Sequence, residues 1–170
     1  IAREDVTVIG SDHWTSWQSR IPKLAAEHDL PEELVERLLW RHGSHIGDVF
    51  DLFDENADLR AVVGDLYVAA EIVHACRHEG ALHLEDVLAR RLRISIESEE
   101  RGLAVSEAAA GLMAAELGWD EEKVAEEVAT WHRRVRAERA ANDAPDDIAA
   151  DALRRRAVDA RGLVDVEPSE

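Results

Sequence analysis

The stretch Leu66–Glu97, LYVAAEIVHACRHEGALHLEDVLARRLRISIE, decides the fold class of this 170-residue chain. From Leu66 to Cys76 the apolar residues fall on most sides of a helical wheel, with Leu66, Ala69, Ala70 and Val73 on one face and Val68, Ile72, Ala75 and Cys76 on the next. A helix apolar over so much of its circumference belongs inside a core. Asp65 stands before it as an N-cap candidate, because its carboxylate can accept backbone N–H groups that lack a partner in the helix, and Gly80 supplies a left-handed residue to end it. Beyond Gly80-Ala81 a second helix is expected, with Leu84, Val87, Leu88 and Leu92 in one stripe, Glu85 and Asp86 at its positive start, and Arg90 and Arg91 toward its end. Asp86 and Arg90 are four apart in the favourable orientation, worth roughly 0.2–0.5 kcal/mol when exposed.

Upstream, Pro31 suits a first helical position, and Leu34, Val35, Leu38 and Leu39 share one face until Gly43 stops the run. Ile46, Val49, Phe50 and Phe53 repeat at i, i+3, i+4 and i+7, which predicts a short helix over residues 44–54. Residues 56–64 then connect to the central helix. Trp14, Trp17, Ile21, Leu24 and Ala25 keep helical spacing, but Pro22 lacks an amide donor and must kink or divide that helix. Val6–Ile9 is short and β-branched and runs into Gly10-Ser11-Asp12, as a strand end does into a turn.

Downstream, SEERG (residues 98–102) is a polar turn, and Ser106 is a plausible cap for a helix carrying Ala108, Ala109, Leu112 and Ala115 to Gly118. Trp119 anchors the next turn. Asp120 caps a helix whose Val124, Val128, Trp131 and Val135 form a narrow apolar stripe against a face rich in Glu and Arg. From Asn142 a weaker helix runs through Ile148, Ala149, Ala152 and Leu153, followed by a terminal DVEPSE with little to bury. These patterns predict a single compact all-α domain of about six or seven helices with a short N-terminal strand remnant.

Lys and Arg total 20 against 37 Asp and Glu, a formal charge of −17. Phosphate backbones are held by clustered cations that displace counterions, so a nucleic-acid partner is not expected. Adsorption to an anionic membrane needs basic clusters as well. The sequence has no apolar run near the roughly 20 residues of a bilayer span and no basic-then-apolar leader. Cys76 is the only cysteine, so no internal disulfide forms, and a small inert thiol in cytoplasmic conditions is the simplest reading. The first residue is Ile1 instead of Met, which suggests a segment of a longer protein.

Glu71 and His74 form an E-x-x-H pair, half of a helical di-iron carboxylate site, with His78 one turn on. Neither the Val124 helix nor the Pro31 helix carries a second such pair, so these read as polar positions at a helix edge. His42 and His45 flank Gly43 at a helix end, where an imidazolium interacts well with exposed carbonyls. No serine sits in a nucleophile elbow, and Cys76 has no neighbour to make it a thiolate. No G-x-G-x-x-G occurs, and Gly10 stands alone, so the turn that cradles a dinucleotide pyrophosphate is missing. No catalytic, cofactor-binding or metal-ligating residue is therefore assigned.

A family resemblance lies in Ala70-Glu71, His78-Glu79-Gly80-Ala81, Leu84-Glu85-Asp86-Val87-Leu88, Arg90-Arg91 and Arg93-Ile94-Ser95-Ile96-Glu97. It continues in Leu117-Gly118-Trp119-Asp120, Arg136-Ala137-Glu138-Arg139-Ala140 and Pro145-Asp146-Asp147, and upstream in Val8-Ile9-Gly10-Ser11-Asp12 before a Trp-containing helix. In these the chain resembles the C-terminal helical domain of FAD-dependent (aerobic) glycerol-3-phosphate dehydrogenase, in its actinobacterial form. Leu92 stands where that family usually has threonine, and His74 where it has an aromatic residue.

The resemblance implies that residues 1–13 are the end of an upstream FAD domain, 14–143 the helical core, and 144–170 an acidic helix and tail. It implies a parent enzyme that oxidises sn-glycerol 3-phosphate to dihydroxyacetone phosphate, with hydride passed to FAD and electrons to quinone. FAD, substrate pocket and catalytic residues would all lie in the upstream domain, leaving this part an inactive accessory that packs on and stabilises it. Expected partners are that upstream domain and, as a further contact, a homo-oligomer. The location is cytoplasmic, with membrane contact only peripheral and through the parent. Arg90, Arg91, Arg93, Trp14 and Trp17 are the interface candidates, with exposed indoles forming an apolar patch on the N-terminal side. For the three arginines a surface and turn-stabilising role is the simpler reading. Two alternatives stay open, a free-standing helical interaction or ligand-sensing domain of a regulator, and a di-iron helical bundle.

Overall fold

The computed structural model describes residues 10–64 and 66–157. The strand expected at Val6–Ile9, the Asp65 cap and the DVEPSE tail lie outside them. The fold is all-α, with nine α-helices and a pair of two-residue strands among the described residues. This exceeds the expected six or seven because Pro22 divides one helix and a four-residue helix follows the central stretch. No helix among the described residues is long and apolar enough to cross a membrane. The chain divides into two compact units, Ile1–His74 and Ala75–Glu170.

In the first unit, α1 (Trp14–Ser19) and α2 (Ile21–His28) are separate helices joined at Arg20. Pro22 is tolerated in the first turn of α2 because the N–H it lacks would have no partner there. Asp29 ends α2 in the left-handed region at φ 54°, and Leu30 donates its N–H to the Ala25 carbonyl. In α3 (Glu32–His42), Glu32 and Glu33 lie in the first turn and Arg41 and His42 in the last, so the charges complement the helix dipole. Leu34, Val35, Leu38 and Leu39 are buried, as their spacing predicts.

The chain turns at Gly43, where φ is 58° and the backbone of Gly10 approaches closely enough for Ser44 to donate its N–H to the Gly10 carbonyl at 2.8 Å. A 3-10 turn (Gly43–His45) leads into α4 (Ile46–Glu55), whose Ile46, Val49, Phe50 and Phe53 are buried. The His28 ring stacks on Phe50 at 3.9 Å, and burial lowers its pKa.

Strand β1 (Val62–Val63) pairs antiparallel with β2 (Tyr67–Val68), Val62 opposite Val68 and Val63 opposite Tyr67. Helix α5 (Ala69–His78) therefore begins three residues later than the apolar pattern suggested. Tyr67 and Val68, an aromatic and a β-branched residue, take the strand geometry that their side chains favour. Ala69 continues the pairing by donating its N–H to the Ala61 carbonyl.

The second unit opens on the last turn of α5. Gly80 ends the helix as expected, with φ 66°, and Ala81 donates its N–H to the Ala75 carbonyl. The next segment differs from expectation, because residues Asp86–Arg91 form a π-helix. Leu92 donates to the Val87 carbonyl five residues back, and the predicted stripe of Leu84, Val87, Leu88 and Leu92 is nonetheless wholly buried. Arg93 then turns the chain at φ 63° into α6 (Ile94–Glu97).

In α7 (Ser106–Leu117) the cap reading of Ser106 is corrected. Val105 is the N-cap residue, and Ser106, wholly buried, donates its hydroxyl to the Leu103 carbonyl. Gly118 closes α7 at φ 70°, and Asp120 caps α8 (Glu121–Asn142) by accepting the Lys123 N–H at 2.8 Å. Within α8, Trp131 and Val135 are buried, but Val124 and Val128 are only half-buried, and Glu127 and Thr130 lie inside with the apolar residues. Asp146 caps α9 (Asp147–Arg155), which lies against α8.

Gly43 is the tightest backbone position among the described glycines, since an added Cβ would stand 2.0 Å from the Gly10 oxygen. Gly80 has the same φ sign but open space around it. Gly43→Ala is expected to lose about 3 kcal/mol or more in urea denaturation, and Gly80→Ala only about 1–2 kcal/mol, the cost of left-handed backbone alone. Equal losses for the two would show that the Gly10–Gly43 contact does not constrain the fold.

Candidate functional site

The strongest concentration of buried charge in the first unit centres on Glu71, in the first turn of α5 and fully buried. Nη1 of Arg37, at the middle of α3, donates to both carboxylate oxygens at 2.9 Å. The Val68 N–H donates to Oε2 at 3.1 Å. Arg41 Nε lies 3.6 Å and His42 Nε2 3.7 Å from Oε1. Arg37 also lies over the Tyr67 ring, 3.8 Å from its centroid, and the His42 and His74 rings meet edge to face at 4.9 Å.

Burial pushes the Glu71 carboxyl up, yet His42, the Arg37 guanidinium and the Val68 N–H together outweigh it and hold the carboxyl below its usual 4.5. Of these, Arg37 is the firmest partner, because His42 at 3.7 Å lies beyond hydrogen-bond length. An ionised carboxylate held this way is a poor general acid and a poor metal ligand, since Arg37 and the Val68 amide already engage its oxygens. The helix-edge reading of Glu71 is thus corrected to a buried anchor. The capping role expected of His42 is corrected in the same way, because its ring is buried beside Glu71 while His45 sits outside and pairs with Asp48.

The second unit contains a parallel arrangement. Glu127 of α8 is buried, receives the Leu84 N–H at 3.0 Å, and contacts His83 Nδ1 at 2.8 Å and Lys123 Nζ at 3.1 Å. Ser106 Oγ and His132 Nε2 are 2.9 Å apart, a spacing that suggests a nucleophile and base. Ser106 is wholly buried, however, and its hydroxyl also donates to the Leu103 carbonyl, so the pair is a satisfied internal contact with no room for a substrate at Oγ. Burial raises the Cys76 thiol to about 11, so it is not a ready nucleophile.

Among the interface candidates, Arg90 pairs with Glu85 and with Asp86, and Asp86 accepts the Leu82 and His83 N–H groups. Burial opposes ionisation of Asp86, but the Leu82 amide, Arg90 and the His83 amide hold its carboxyl low. Arg91 donates to the Glu79 carbonyl through Nε and Nη2. Arg93 is exposed. Trp14 and Trp17 are half-buried; Trp14 meets the exposed Trp40 edge to face at 4.9 Å, and Arg20 covers Trp17.

The sequence reading missed Arg37, Arg41 and Glu127. A signal was present for Glu71, since an acid inside the run Ala69–Ala75 needs a cation, and Arg37 and Arg41 stand four apart beside a buried stripe.

Truncating Glu71 leaves Arg37 short of its partner in a largely buried place, so Glu71→Ala is expected to cost about 3–5 kcal/mol. The sign of the pH dependence follows from a lowered folded pKa. The contribution is full above the unfolded value near 4.5 and is lost as pH falls through the lower folded value. Urea titrations at pH 7 and below 4.5 measure both effects, and a loss under about 0.5 kcal/mol at pH 7 would refute the anchor role.

Residues 2–124 match the family described as the C-terminal domain of alpha-glycerophosphate oxidase. The chain is 41% identical to glycerol-3-phosphate dehydrogenase of Mycobacterium leprae over 97% of its own length and 28% of that relative. It is 37% identical to glycerol-3-phosphate dehydrogenase 2 of Mycobacterium tuberculosis over the same shares, and 30% identical over 62% of its length to a probable mitochondrial glycerol-3-phosphate dehydrogenase of Dictyostelium discoideum, covering 17% of that protein. The chain therefore spans less than a third of the length of these curated relatives, and no solved structure matches it. A match over most of the chain, in which Glu71 and the Gly80 stop both fall, means that the protein belongs to the family of the alpha-glycerophosphate oxidase C-terminal domain.

Proposed function

We propose that this chain is the accessory helical domain of an FAD-dependent glycerol-3-phosphate dehydrogenase, and that it packs on the catalytic part of the enzyme and stabilises it. The observation that carries this reading is the asymmetry of coverage, 97% of this chain against 28% of the mycobacterial relatives. The buried chemistry is compatible with it, because Glu71 and Glu127 are committed to internal partners.

The described residues do not suit FAD. The described strands form an antiparallel pair, not the parallel βαβ unit of a dinucleotide site. The flavin is accordingly assigned to the remainder of the enzyme, together with the substrate pocket. Trp14, Trp17 and Arg93 are the groups proposed to face that remainder, with Trp40 joining them through its contact with Trp14. The location proposed is the cytoplasm, with membrane contact made by the rest of the enzyme.

Co-expression of this chain with the catalytic part of the enzyme tests the reading. The two are expected to co-purify, and the catalytic part is expected to gain thermal stability and retain its flavin longer than when made alone. Absence of association, or an upstream part equally stable and active by itself, would contradict it.

A further inference from the structure

Helix α7 carries almost no polar face, and such a helix is ordinarily enclosed. Here the face bearing Glu107 and Ala114 is fully exposed at the first and partly exposed at the second. This face forms one wall of a groove of about 660 Å³ whose other wall is α8, with Trp119 at the end where the two helices join. On α8 the lining residues Ala125, Val128 and His132 repeat at helical spacing and are not fully buried. Two adjacent helices thus present parallel stripes of small and apolar residues with nothing laid between them among the described residues.

The shape selects the occupant. On the α7 wall Ala114 presents only a methyl group, so that wall is open to close approach. From Glu121 to His132 the α8 wall runs about 16 Å at 1.5 Å per residue, the length of about three turns of helix. The charges on the groove are Glu107, Asp120 and Glu121, with no cation among the lining residues. His132 Nε2 is engaged by Ser106 Oγ at 2.9 Å. A second copy docking through the same face would bring these acids against themselves.

We propose that the α7–α8 groove receives an amphipathic helix of a partner protein, about three turns long, with an apolar inner face and Lys or Arg along its flanks. The apolar face fills the stripe between Ala114 and Val128, and the flanking cations meet Glu107 and Glu121. The reading is independent of the dehydrogenase assignment.

The test uses the whole chain and two synthetic 14-residue peptides of identical Leu/Lys composition. One places Leu at i, i+4, i+7 and i+11; the other is scrambled so that no apolar face forms. Fluorescence anisotropy is expected to show the amphipathic peptide binding at least about tenfold more tightly, with affinity falling as salt rises. Ala114→Leu fills the groove from one wall, and Ala125→Arg places a like charge on the other. Each is expected to reduce that affinity by about tenfold or more. Circular dichroism identifies a variant that fails to fold, and either folded variant decides the matter. Equal binding of the two peptides, or undiminished affinity in a folded variant, overturns the proposal. So does a dimer of the free chain that Ala114→Leu abolishes, which would assign the groove to a second copy.

Discussion

The first unit depends on a carboxylate held away from water. Removing a charge from solvent costs several kcal/mol, and the cost is recovered only where geometry and hydrogen bonds are good. Glu71 meets that condition, since Arg37 engages both oxygens and the Val68 amide a second time engages one. The carboxylate thereby joins three pieces of chain: α3 through Arg37, β2 through Val68, and α5 on which it stands. Apolar burial alone would not fix the register of the short hairpin, because two-residue strands carry too few ladder bonds to define it.

Glu127 applies the same logic to the second unit, where it accepts the Leu84 N–H at the entry to the π-helix and contacts His83 and Lys123. In each unit a buried acid on a helix captures a backbone amide at the edge of an element, the end of β2 for Glu71 and the entry to the π-helix for Glu127. The formal charge of −17 therefore conceals two groups with structural work. Most of the other acids lie where water screens them and pair weakly with neighbouring cations.

Local signals were legible from the sequence wherever a partner lies nearby in the chain. Gly80 and Gly118 end helices, Asp120 accepts an amide three residues on, Pro22 divides α1 from α2, and the stripe of Leu84, Val87, Leu88 and Leu92 is buried. The misses all involve distant or alternative partners. Glu71 meets Arg37 across 34 residues, and Glu127 meets Leu84 across 43, so neither spacing reveals the pair. Tyr67 and Val68 fit the apolar helix pattern until β1 competes for them, and nothing in the sequence distinguishes the i→i−5 bond of Leu92 from an ordinary helical one. Ser106 looked like a cap because its type suits that place, but Leu103 and His132 claim its hydroxyl. The family resemblance was legible for a different reason, since it rests on residue identities dispersed from one end of the chain to the other.

An accessory domain with its buried charge committed internally is well suited to packing and stabilising, and its uncommitted features, the exposed Trp40 and the α7–α8 groove, are surfaces. Whether Glu71 is a structural anion or a reserve ligand is the point on which this picture turns. An NMR titration of the Glu71 side-chain carboxyl carbon, identified by comparison with Glu71→Gln, addresses it directly. A midpoint below 4.5, unaltered by added zinc, is predicted; a midpoint above 4.5, or one displaced by the metal, would contradict the internal anchor.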